Sequence, residues 1–362
     1  MTRRNRMVGP IALALFLALL LAGAAGAAEK PLKKVRLAVA AGGPSPFLAF
    51  ATVPQGMGYY REEGLDVEVL FLSPGTGGSL GLAAAGSAEF GVSNPFSFLQ
   101  AAAKGTDLDT ITICTWTRDI HWTMVVPADS PVKDLRELKG KKIGILSRGD
   151  SNYIGAQAML REVGLDPDKD VDFVTLGTGG PAANAVRRGE VAALAFWDAQ
   201  VAALENVGLK FRYLPLTPTV KEIMGSGIAV RRDYFKDNRE AAIGICRAIN
   251  KGIAFALESP EAAARLHFKL YPESRPKGKT DEEALRDAVH LIKARSDKFP
   301  KDPAKFPKYG YNYPKGWEAY IKVLALDSQK VGDVRRFYTN ELLDAINDFD
   351  EAAVRRQARE YR

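Results

Sequence analysis

One tetrapeptide, Gly-Thr-Gly-Gly, occurs twice, at 75–78 and at 177–180, an offset of 102 residues. Each copy follows an apolar run with strand character, Leu65–Leu72 in the first case and Val171–Leu176 in the second, and each precedes a segment rich in small residues. Shortly beyond, a second apolar run opens on a glycine step, Gly86–Val92 and Gly189–Phe196, so a whole βαβ unit recurs. Parallel strands joined this way need a crossover helix lying over the sheet. Two similar α/β lobes would each aim a glycine turn and a helix N-terminus outward from the carboxyl edge of their strands, where open α/β sheets hold ligands. A chain organised this way predicts a clamp.

The first residues predict where the clamp works. Arg3, Arg4 and Arg6 precede the apolar core Ile11–Leu21 and the small-residue step Ala25-Gly26-Ala27, the three parts of a secretory signal peptide. Residues 1–27 are therefore set apart from the fold, and a periplasmic location is expected. Retention as an uncleaved anchor is the alternative, because 7–28 carry no charge.

Composition excludes several classes. Removing the three signal arginines lowers the formal charge from +7 to +4, too small and scattered an excess for nucleic acid or an anionic membrane. Two cysteines, Cys114 and Cys246, make no disulfide scaffold. Cys114 reads as a strand residue and Cys246 as part of the stripe Ile243, Cys246, Ile249, Ile253, so two separately buried thiols are expected, with pairing left open by the oxidising compartment.

Strand and helix signals alternate almost to residue 230, which predicts mostly parallel sheets covered on both faces. Trp122–Val126 and Gly225–Val230 read as two crossovers between lobes. The expected division is lobe I from 28–126 and 227–362, with lobe II, 127–226, inserted into it. Beyond 230 the pattern turns helical, and the proline- and lysine-rich stretch 272–314 reads as a wrap over the back of lobe I.

No catalytic set assembles. Gly77-Gly78-Ser79-Leu80-Gly81 matches a nucleophile elbow, but His267 and His290 lie in amphipathic helices and no oxyanion loop appears; a serine hydrolase using Ser79 stands as the alternative function. Neither glycine turn completes a P-loop or a dinucleotide fingerprint. Three histidines without paired spacing suggest no metal, and no cofactor is expected.

Small, polar and aromatic residues do gather at the predicted strand ends: Ser45, Phe47, Thr76, Ser79, Asn94 and Trp116 from lobe I, and Ser151, Asn152, Thr178 and Trp197 from lobe II. Hydroxyls and helix N-termini suit a polar ligand head, and the aromatic rings an apolar body. Arg118 and Arg148 would neutralise a sulfonate or carboxylate, whereas Asp150 and Asp198 would receive the amines of a pyrimidine. Between these the sequence leaves ligand identity open.

Lys34–Val39 followed by Gly56–Val69 resembles the opening of the substrate-binding proteins of ABC importers in the nitrate, sulfonate, taurine and thiamine-pyrimidine-precursor group. The likeness continues through Ala83–Gly91, Asp134–Gly144, Gly164-Leu165 and Arg188–Ala193, covering most of 34–232. It implies a two-lobed type II periplasmic binding protein fold that closes on a small ligand by hinge motion. It also implies a monomer that hands its ligand to a permease with its ATPase and performs no chemistry. A non-transport sensor using the same clamp is the third reading.

Overall fold

The computed structural model describes residues 31–72, 75–299 and 304–362, with the side chain of Thr76 outside that description. The signal-peptide expectation, 1–27, falls outside the described residues.

Apolar runs rich in β-branched residues form the strands Lys33–Val39 (β1), Leu65–Phe71 (β2), Phe90–Ser93 (β3) and Thr110–Thr115 (β4). Trp122–Pro127 (β5), Lys142–Ile145 (β6), Asp172–Thr175 (β7), Ala193–Trp197 (β8), Phe211–Tyr213 (β9) and Gly227–Arg231 (β10) follow. They form two five-stranded sheets, ordered β2-β1-β3-β10-β4 and β7-β6-β8-β5-β9. The two orders superimpose when β6 stands for β1 and β5 for β10, so the duplicated βαβ unit is a duplicated lobe.

The sheets are mixed rather than mostly parallel. β1 pairs in parallel with β2 and β3, and β6 with β7 and β8, but β10 runs antiparallel to β3 and β4 and β5 antiparallel to β8 and β9. The segments expected as crossovers are therefore largely strands. Trp122, Met124 and Val126 in β5, and Ile228, Ala229 and Val230 in β10, are fully buried at interior positions of their sheets, paired on both sides. A short extended apolar run looks the same in sequence whether it links two sheets or fills one. Sheet membership thus moves 122–126 from the first lobe to the second.

The true connections are 116–121 and 223–226, and they are bonded to each other. Trp116 and Thr117 N–H groups donate to the Ser226 carbonyl at 3.0 and 3.1 Å, and Gly225 N–H donates to the Thr117 carbonyl at 3.0 Å. A Cβ on Gly225 would stand 2.3 Å from Thr117 Oγ1, so glycine is required for this approach.

The Arg239–Glu258 helix lays its apolar stripe on the first sheet, where it packs with the Ala49–Met57 helix. This corrects the reading of the cysteines: Cys114 of β4 and Cys246 of that helix form a disulfide with Cα atoms 6.3 Å apart. Strand face and helix face each turn their sulfur toward the same core, which periodicity alone does not disclose. The stretch 272–314 also departs from a wrap over the back, because its Asp281–Ser296 helix touches both the 46–48 turn of the first lobe and the Asp198–Glu205 helix of the second. Among the described residues no helix is long and apolar enough to cross a membrane.

Candidate ligand-binding cleft

Each parallel strand ends in a turn that starts a helix, and the helix N-termini from both lobes face one cleft of about 840 Å³. The two glycine turns differ in detail. The first is already the opening turn of the Gly75–Ala84 helix, whereas Gly177 and Gly179 take positive φ values of 68° and 65° ahead of the Gly180–Arg187 helix. Glycine relieves the Cβ clash that such backbone would otherwise incur.

Four of the expected residues line the cleft: Asp150, Ser151, Thr178 and Trp197. Ser151, Trp197 and Ala40 also border a smaller recess of about 30 Å³, where Phe47 and Trp116 join them. Ser151 Oγ accepts from the Trp122 indole N–H at 3.1 Å. Asp150 caps the Ser151–Glu162 helix by accepting from Asn152 N–H at 2.8 Å, and burial raises its carboxyl above the usual aspartate range. The Trp197 indole N–H faces that carboxylate loosely, short of a well-formed hydrogen bond.

Other expected residues serve the scaffold. Ser79 Oγ is buried and donates to the Val92 carbonyl of β3 at 2.5 Å. Asn94 caps the Pro95–Ala103 helix, accepting from Ser97 N–H. Arg118 is buried against the Phe306 carbonyl and the Tyr309 ring, and burial lowers it to about 10. Arg148 donates to the Tyr153 hydroxyl at 3.0 Å. Asn152 is buried with neither amide atom bonded. Ser45 precedes the 46–48 turn without a side-chain cap bond; Thr76 lies in the first turn of its helix, its side chain outside the described residues.

Asp198 is not free to receive a ligand amine. Arg295, from the Asp281–Ser296 helix, holds it with bonds of 2.6, 2.9 and 3.2 Å, both side chains nearly inaccessible. The guanidinium lies over the Phe47 and Trp116 rings, 5.2 and 5.6 Å from their centroids. Sequence reasoning missed Arg295, His121 and Ser226, which also border the recess. Arg295 sits on an amphipathic stretch almost a hundred residues beyond Asp198, with no local pattern to mark it. His121 is buried edge-on to Trp197, and burial, then Arg295 and Lys298, hold it well below its usual value and neutral. Phe96, Gln100, Lys104 and Gln200 are among the other residues of the cleft wall.

This architecture, two matching α/β sheets flanking one ligand-sized cleft, is that of the periplasmic binding proteins. The chain belongs to the family described as NMT1/THI5 like, whose profile matches residues 47–263. It is 25% identical over 327 residues to a riboflavin-binding protein, RibY, of Chloroflexus aurantiacus, spanning 87% of this chain and 88% of that one. It is 22% identical to a 4-amino-5-hydroxymethyl-2-methylpyrimidine phosphate synthase of Legionella pneumophila, over 64% of this chain and 72% of the relative. Among solved structures, the periplasmic aliphatic sulphonate binding protein SsuA of Escherichia coli superimposes with a TM-score of 0.59 at 20% identity, covering 84% of this chain and 91% of that one. The family expectation and the two-lobed fold are thereby established.

Proposed function

We propose that this chain is the exported solute receptor of an ABC importer, delivering its ligand to a permease and its ATPase. We further propose that the ligand is a neutral, planar heteroaromatic molecule rather than a sulfonate or nitrate. The observation that carries the ligand class is the charge inventory of the cleft. Arg118, Arg148 and Arg295 are each committed to protein partners, Lys104 is exposed at the rim, and the buried ionisable group on the wall is the carboxyl of Asp150. A strong anion set beside a buried carboxylate would be repelled. A ring N–H or amine would be received by it, while Trp197 and Phe96 offer flat apolar faces. The relative named as a riboflavin-binding protein supports this chemistry.

Thermal unfolding of the purified chain with riboflavin, 4-amino-5-hydroxymethyl-2-methylpyrimidine, taurine and nitrate tests the reading. A ligand at about 100 times its dissociation constant adds about 2.7 kcal/mol of stability. The heteroaromatic compounds are expected to raise Tm; a rise with taurine or nitrate alone would overturn the ligand class. Trp197→Ala should weaken heteroaromatic binding about thirtyfold, ~2 kcal/mol, with a smaller effect on the ligand-free Tm because the ring is only partly buried and borders the cleft.

A pH dependence follows from Asp150. Its carboxylate accepts from the ligand only when ionised, so affinity is full above its raised pKa and is lost as pH falls through it. The loss should begin at a higher pH than an ordinary aspartate would give. Asp150→Asn, which retains the helix cap, should bind more weakly with that pH dependence gone; an unaltered profile in the variant would assign the titration elsewhere.

A further inference from the structure

The recess at the inner end of the cleft holds polar atoms that the protein itself does not satisfy. Trp116 and His121 are 4% and 5% exposed, both side chains border the recess, and neither Trp116 Nε1 nor His121 Nδ1 has a hydrogen-bond partner. Buried donors left unpaired are rare and costly. Ser151, at the junction of recess and cleft, accepts from Trp122 Nε1 through its oxygen, a bond that leaves its own hydroxyl proton to donate. Ser226 and Arg295 add polar edges, and most of the remaining wall is apolar or aromatic, with Phe47, Leu48, Phe50 and Val92 among it. At about 30 Å³ the space suits a group of one or two heavy atoms.

Resting on the ligand class above, we propose that this recess is the subsite for a neutral hydrogen-bond acceptor of the ligand, a carbonyl oxygen on its ring edge. The oxygen accepts from Trp116 Nε1–H and the Ser151 hydroxyl, and His121 presents its Nδ1 to the same space. The neutrality of the accepted group follows from Arg295. That guanidinium borders the recess, but Asp198 already holds it with three bonds, so the local charge is balanced before any ligand enters. Trp116 keeps its position without a ligand, because its ring stacks on Phe50 with centroids 3.7 Å apart and planes 13° apart. The recess therefore reads one chemical feature, and the wider cleft reads ring shape and N–H groups.

The test uses the full mature chain labelled with nitrogen-15 in its tryptophan indoles, titrated with nicotinamide, nicotinate and 3-methylpyridine. These three share a ring and differ in carrying a neutral carbonyl, an anion or a methyl group. Nicotinamide is expected to move the Trp116 Nε1–H resonance in a saturable way and to bind about tenfold more tightly than either other compound. Trp317, enclosed by Phe337 and Tyr338, should stay still as the reference. Trp116→Phe keeps the stacking ring and removes only the donor, so it should cut nicotinamide affinity to that of 3-methylpyridine while the ligand-free Tm hardly moves. Equal binding of nicotinamide and 3-methylpyridine, tighter binding of nicotinate, or full nicotinamide affinity in Trp116→Phe would overturn the subsite. If the Trp197 resonance responds in those cases, the heteroaromatic reading of the cleft survives. No movement of either resonance with any probe would sink both.

Discussion

Asp198→Ala is expected to cost the ligand-free chain roughly 3–5 kcal/mol, the usual penalty for removing one partner of a buried ion pair. Asp198 begins the Asp198–Glu205 helix of the second lobe, and Arg295 comes from a helix that also touches the first. Removing the carboxylate leaves a guanidinium enclosed between Phe47 and Trp116 with no counter-charge. Urea unfolding of the single variant and of Asp198→Ala with Arg295→Met measures the effect. The double variant should regain much of the loss, since the charge needing compensation has gone with its partner. A single-variant cost below about 1 kcal/mol would mean that the arginine finds water when freed.

Breaking the Cys114–Cys246 bond is the second large expectation. The bond closes a loop with a sequence separation of 132 residues, and loops of that length restrict the unfolded chain by up to about 5 kcal/mol in the entropic account, with 2–4 kcal/mol the common outcome. Cys114→Ala with Cys246→Ala should lower the denaturation midpoint accordingly, and reduction of the native chain should match it. A double variant as stable as the oxidised parent would show that core packing around the two positions suffices by itself.

The lobes and the cleft's outer wall were legible because they rest on local signals. Strand runs and glycine turns each act within a few positions of one another. What was hidden depends on faces meeting across long separations. Asp198 reads as an open acceptor until Arg295 is brought to it, Arg118 as an anion ligand until Phe306 and Tyr309 enclose it. Ser79 looked like a cleft residue for a related reason: helix register turns it onto β3, while its neighbours Leu80 and Gly81 line the cleft. The antiparallel strands β5 and β10 read as links in the sequence because full burial erases the alternation that marks a strand with one wet face.

The place of β10 in the first sheet orders the assembly of the molecule. Strands β5 to β9 come from one continuous stretch, so the second sheet has every member once Tyr213 has emerged. The first sheet has its four leading strands by Thr115 but lacks the one that stands between β3 and β4. Those two strands have no direct pairing with each other, and β4 gains its place only when residues 227–231 arrive to bridge them. Cys246 follows β10 in the chain, which makes the cross-link a late event that seals a sheet already complete. A chain emerging N-terminus first would thus finish its inserted lobe before the lobe it started with, and a truncation just short of Gly227 should yield one ordered sheet and one whose edge strand β4 has lost its pairing partner.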